Sequence, residues 1–140
     1  MISRTLLLLA VLLAPTFCAA QIAVIVNVAN PIQQLSVTQV TDFYLGRSRA
    51  YASGEYALVF DYGRDAALRQ RFFQSLAGMS PQQVNAYWSR LMFTGQVLPP
   101  QPLPDDRAML DIVRRNAGAI GYIRNKEADP SVRVVLLLKE

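Results

Sequence analysis

Apolar positions along residues 21–140 follow two periods, one of strands and one of helices. Gln21-Ile22-Ala23-Val24-Ile25-Val26 is a nearly unbroken apolar run, the pattern of a strand covered on both faces. It stops at Asn27, and Asn30-Pro31 marks a turn. Ser36-Val37-Thr38-Gln39 fits a capping box opening a helix with Val40, Phe43 and Tyr44 inside, and Gly46 is its stop. A polar loop from Arg47 to Glu55 leads into a buried strand expected over Tyr56 to Phe60. The helix after it, from about Ala66 to Leu76, carries Leu68, Phe72 and Leu76 on one face and closes at Gly78.

Ser80-Pro81-Gln82-Gln83 places a cap, a first-turn proline and a capping-box glutamine in order. Val84, Tyr87, Trp88 and Leu91 then fall on one helical face, so Trp88 reads as core. With prolines at 99, 100, 102 and 104, Val97 to Pro104 is expected as an extended surface connection, neither helix nor central strand. Asp105 or Asp106 caps a fourth helix carrying Met109, Leu110 and Val113, with Arg114 and Arg115 in its last turn. Ala119 to Ile123 and Val132 to Leu138 read as strands, separated by the Asp129-Pro130 turn. The order β-α-β-α-α-α-β-β, with apolar strands, predicts one three-layer α/β domain of about four strands and four helices.

Residues 1–20 stand apart from this pattern. Arg4, the apolar run Leu6 to Leu13 and the small-residue end Cys18-Ala19-Ala20 have the form of a secretory leader, with cleavage expected after Ala20 and a periplasmic destination. The run is too short for a stable membrane anchor, and bulky Phe17 argues against lipidation of Cys18. After Ala20 there is no cysteine, and the chain has no histidine. Thiol and imidazole catalysis, disulfides and typical zinc sites are thereby excluded from residues 21–140. The formal charge of +4 falls to +3 without Arg4, and the arginines are scattered. That balance favours small anions or acidic surfaces over nucleic acid as partners. The ten acidic side chains form no recognisable catalytic pair, so no enzyme, metal or cofactor is expected.

The candidate chemistry lies where the strand ending at Phe60 turns into the next helix, at Asp61-Tyr62-Gly63-Arg64-Asp65-Ala66-Ala67-Leu68-Arg69. A helix that follows a strand aims its unpaired N–H groups and positive dipole end past the strand's carboxyl edge, where anions bind in open α/β sheets. Backbone N–H groups near Gly63, Arg64, Asp65, Ala66 and Ala67, with the guanidinium groups of Arg64 and Arg69, can converge there on an oxyanion. Asp65 reads as the helix cap rather than a general base. Arg69, one turn into the helix, has two other options: to lie over Phe72 or to pair with Asp65 at i, i+4.

Ile22 to Asn27, Asn30-Pro31, Phe43-Tyr44-Leu45-Gly46-Arg47, Leu58 to Phe73 and Ala117-Gly118-Ala119-Ile120-Gly121-Tyr122-Ile123 resemble, in order, one lobe of the phosphate-specific periplasmic binding proteins of ABC transporters. More closely, residues 22–138 resemble the short, single-lobe phosphate ABC transporter substrate-binding proteins. The resemblance implies a single lobe of the type 2 periplasmic-binding-protein fold, a solute-binding role in transport, phosphate or another small oxyanion as ligand, and an ABC permease or other periplasmic protein as partner. In the full-length family an arginine and a Ser-Gly-Thr hold the phosphate; here the segment reads Tyr62-Gly63-Arg64-Asp65-Ala66-Ala67-Leu68, without the hydroxyls and with the arginine displaced. The family's second lobe has no counterpart in these residues. Two expectations follow: weak oxyanion binding at the helix N-terminus, or an interaction module that has lost its ligand and works through a sheet edge, the Arg47 to Tyr51 loop or residues 97–104.

Overall fold

The computed structural model describes residues 20–95 and 97–140. The leader and its cleavage position lie largely outside them. In order come β1 (Gln21–Asn27), α1 (Val37–Tyr44), β2 (Leu58–Tyr62), α2 (Ala67–Ala77), α3 (Pro81–Phe93), β3 (Gln101–Leu103), α4 (Asp106–Arg115), β4 (Ala119–Arg124) and β5 (Val132–Lys139). The strands form one mixed sheet in the order β3-β2-β4-β1-β5. β2 runs parallel to β3 and β4, whereas β1 runs antiparallel to β4 and β5.

Two adjacent residues of β4 show why there are three layers. Successive side chains of a strand point to opposite faces. Gly121 lies directly beneath Met109 of α4, while Tyr122 stacks on Phe72 of α2 with ring centroids 3.6 Å apart and planes 6° from parallel. α4 therefore covers one face, and α2, which also packs on α1 and α3, covers the other. β1 lies between β4 and β5 with Ile22 to Val26 fully buried, as a continuous apolar run requires. The side-chain caps are those expected: Ser36 and Ser80 in complete capping boxes, and Asp105 on the Ala108 N–H.

Three expectations change. The sheet has five strands rather than four, because the proline-rich segment contributes β3 at the edge. Pro102 is tolerated because an edge strand turns alternate N–H groups away from its neighbour. β2 covers Leu58–Tyr62, two residues later than the apolar run suggested, and Tyr56 makes only an isolated bridge to Ala50. The strand continues through Asp61 because that carboxylate finds its partners inside the protein. Asp65 does not cap α2, whose N-cap is Ala66 with no side-chain bond to the first turn.

The Gly118 carbonyl accepts from the Leu58 N–H and from the Tyr51 hydroxyl, both at 2.9 Å. A Cβ on Gly118 would stand 2.5 Å from the Tyr56 carbonyl oxygen, a backbone atom that has no rotamer to give way. Gly63, by contrast, has open space and no positive φ. Gly118→Ala is expected to destabilise the fold by about 1–3 kcal/mol, and Gly63→Ala to stay within about 0.5 kcal/mol. Urea unfolding midpoints of the two variants check this contrast.

Candidate functional site

β2 delivers the chain past Tyr62 into a turn closed by the Ala66 N–H on the Gly63 carbonyl at 3.0 Å. Gly63, Arg64, Asp65 and Ala67 are exposed at this turn and Ala66 is half-buried. The first-turn N–H groups of a helix have no intrahelical acceptor. At α1, α3 and α4 a side-chain oxygen meets one of them, but at α2 none does. The mouth of α2 thus offers backbone donors and the positive end of an eleven-residue helix to solvent, with Arg64 exposed in the turn that precedes it.

Arg69 is placed differently from Arg64. It lies on the inner face of α2 with Phe72, Phe73 and Leu76, and its side chain is 9% exposed. Its Nε donates to Asp61 Oδ2 at 3.0 Å, its Nη1 lies 3.5 Å from Asn85 Oδ1, and its guanidinium sits 5.1 Å above the Phe73 ring. Its partners are Asp61 and the Phe73 ring, not Asp65 or the Phe72 ring that the helical spacing suggests. Asp61 also accepts from the Tyr122 hydroxyl and, at 2.7 Å, from the Tyr62 N–H. Burial pushes the Asp61 carboxyl above the usual carboxylate range, against the opposing pull of Arg69 and of these two donors.

A second polar chain adjoins the first. The Tyr62 hydroxyl lies 2.7 Å from the Tyr122 carbonyl and 3.0 Å from Asp106 Oδ1, sharing its proton between two acceptors, and Asp106 Oδ2 meets Arg124 Nε at 3.0 Å. Sequence reasoning assigns no ligand-binding role to Asp61, Tyr62, Asp106, Tyr122 or Arg124, although the first two flank the candidate turn. One signal was present: Arg69 follows the 69, 72, 73, 76 spacing of a core stripe, and a buried arginine demands a buried acid, for which Asp61 in its apolar strand is the nearest candidate. Among the described residues no cluster of acidic side chains is arranged to hold a metal.

A groove of about 720 Å³ lies elsewhere, around the first residues of β2, with Tyr56, Leu58, Trp88 and Leu98 in its lining. The molecule therefore has two distinct features at opposite ends of β2, a polar helix mouth and an apolar groove.

No protein-family model matches the chain, and neither does any curated protein. Solved structures do. A protein from Clostridium perfringens assigned as a phosphate ABC transporter substrate-binding protein, solved with phosphate bound, superposes with a TM-score of 0.67 at 21% identity, over 84% of this chain and 45% of its own. An ABC-type phosphate transport receptor from Vibrio cholerae gives 0.67 at 20% identity, over 83% and 46%. A protein from Planctomyces limnophilus described as phosphate-binding gives 0.64 at 15%, over 84% and 41%. At these identities the likeness shows the fold: a periplasmic-binding-protein-like α/β lobe, spanning slightly under half the length of the proteins it matches.

Two predictions follow from the buried groups. Removing one partner of a buried ion pair leaves the other charge uncompensated, at a cost of about 3–5 kcal/mol. Asp61→Asn and Arg69→Met are each expected to lose about that much, and the double variant to lose about as much as either alone, in a denaturation cycle. The hydroxyls of Tyr44, Tyr51, Tyr62 and Tyr122 are all held above the ordinary tyrosine range, in each case chiefly by burial, with nearby carboxylates adding to it. The folded state binds these protons more tightly than the unfolded chain. Their stabilisation is therefore complete below the unfolded pKa of about 10 and is lost as pH rises through and beyond it, by about 1.4 kcal/mol per pH unit for each tyrosine. Denaturant titrations at stepped alkaline pH, with phenolate absorbance as probe, should show the ionisation of these four tyrosines appearing together with unfolding.

Proposed function

We propose that this lobe is an exported, non-enzymatic solute-binding module that receives a small oxyanion, phosphate foremost, at the N-terminus of α2. The observation that carries the reading is the uncapped mouth of α2 at the carboxyl end of a parallel strand, in a fold that the Clostridium perfringens protein shares and for which phosphate is the bound ligand there. The ligand's donors are the N–H groups of the turn and first helical residues, with Gly63 and Ala66 giving the backbone room and Arg64 supplying the charge. Arg69 serves by holding the turn through Asp61, since its Nε is turned inward. Asp65 beside the site, and the openness of this lobe taken by itself, leave the anion partly hydrated, so a millimolar dissociation constant is expected for these residues alone. Export through the leader, cleavage after Ala20 and release to the periplasm belong to the same proposal. An ABC permease is the partner this reading calls for, and the neighbours' descriptions as ABC transport proteins support it.

A second reading, a contact module that has given up its ligand, is favoured by one observation. The guanidinium best placed on α2 is buried in an ion pair, while large apolar side chains stand exposed at the far end of β2.

The test exploits the tolerance of a first helical position for proline, which removes one N–H without breaking the helix. Ala67 holds that position, and Ala66 before it, at φ −67° and ψ 124°, already has a backbone compatible with a following proline. A ligand at ten times its dissociation constant stabilises by about 1.4 kcal/mol, on the order of 5 °C for a domain of this size. A thermal-shift titration at fixed ionic strength should show such a rise with phosphate beyond chloride. It should be reduced in Arg64→Ala and in Ala67→Pro, with the ligand-free midpoint of each variant kept. No phosphate-selective rise up to about 10 mM would reject the oxyanion reading by the same linkage.

A further inference from the structure

We propose that the apolar surface around the C-terminal end of α3 and the start of β2 docks on an anionic lipid bilayer surface. Phe93 is 96% exposed, Leu98 87% and Tyr56 76%, and Met92 and Leu58 stand about half in water. Three of them share one groove, and the other two stand at the end of the helix that walls it. Tyr56, Leu58 and Leu98 line the groove together with Trp88 of α3. Met92 lies four residues beyond Trp88, on the same helical face, and Phe93 is the last residue of that helix. An exposed apolar patch of this kind marks a contact surface.

Charge and shape favour a bilayer as the occupant. Among the described residues, Arg49 is the one charged side chain in the lining of the groove, and Arg90 occupies the last turn of α3. Arg47 follows Gly46, which abuts both Trp88 and Val97. The acids adjoining this surface are Asp42, 3.8 Å from Arg47 in an exposed pair, and Glu55 on the loop before β2. Three arginines against two acids leave this end of the molecule with a positive excess, which matches an anionic headgroup layer over an apolar interior. Phe93 and Leu98 stand almost wholly clear of the protein, so a protein partner would need a preformed pocket for each, whereas a lipid interface takes up projecting apolar side chains without one. The surface lies at the opposite end of β2 from the turn at Gly63 to Ala66, so the inference stands or falls independently of oxyanion binding.

The test is co-sedimentation of the full chain with vesicles of phosphatidylglycerol and phosphatidylcholine, against vesicles of phosphatidylcholine alone. Binding is expected to the anionic vesicles, weakening with salt. A buried Phe or Leu side chain is worth about tenfold or more in partitioning, so Phe93→Ser combined with Leu98→Ser should weaken binding at least tenfold. Both positions are exposed, and an unchanged circular dichroism spectrum establishes that the variant is folded. Binding that the double variant retains would overturn the proposal and assign the affinity to another part of the chain, the apolar leader included. Absence of binding to anionic vesicles would overturn it as well, and a dimer in sedimentation equilibrium, lost in the same variant, would identify a second copy of this chain as the occupant.

Discussion

The Asp61–Arg69 ion pair is the constraint around which the lobe is arranged. Asp61 belongs to β2 and Arg69 to α2, so the pair fixes how the helix leaves the strand. The Tyr122 hydroxyl ties β4 to the same carboxylate, and the Tyr122 ring stacks on Phe72 one turn beyond Arg69. One carboxylate thereby joins the two parallel strands of the sheet centre to the helix that covers them. The charge is tolerable inside because three donors meet it, and for the same reason removing any member is costly.

This arrangement also decides what the outer side of the turn can do. The Arg69 guanidinium faces the core, leaving Arg64 and the backbone to meet anything that arrives from solvent. α2 starts without a side-chain cap while the three other helices have one, and the exposed part of the turn carries no hydroxyl. Such a mouth can recognise an oxyanion by its charge and by hydrogen bonds from N–H groups, but one lobe cannot enclose it.

Much of the fold was legible in the sequence where local chemistry and global packing agree. The two Ser…Gln capping boxes, the apolar run of β1 and the aromatic face of α3 all stand where their patterns put them. β3 was hidden because four prolines forbid a central strand and say nothing against a short edge strand. The end of β2 was misplaced because Asp61 looks like a terminator when its partners, eight and sixty-one residues away, are unseen. Asp65 resembled a cap by type and position, yet a chain turning tightly through Gly63 brings Ala66 to that place instead. Of the candidate site, its location was legible and the division of labour between its arginines was not, because that division depends on a contact between strand and helix.

The central claim is that backbone donors at the mouth of α2, not the buried guanidinium, face the ligand. Amide and arginine side-chain NMR shifts followed through a phosphate titration test it most directly. The account predicts saturable shifts at the amides of Gly63 to Leu68 and at the Arg64 side chain, with the Arg69 Nε–H unmoved. Shifts led by the Arg69 Nε–H, or none at these amides up to about 10 mM phosphate where a millimolar site would be largely filled, would contradict it.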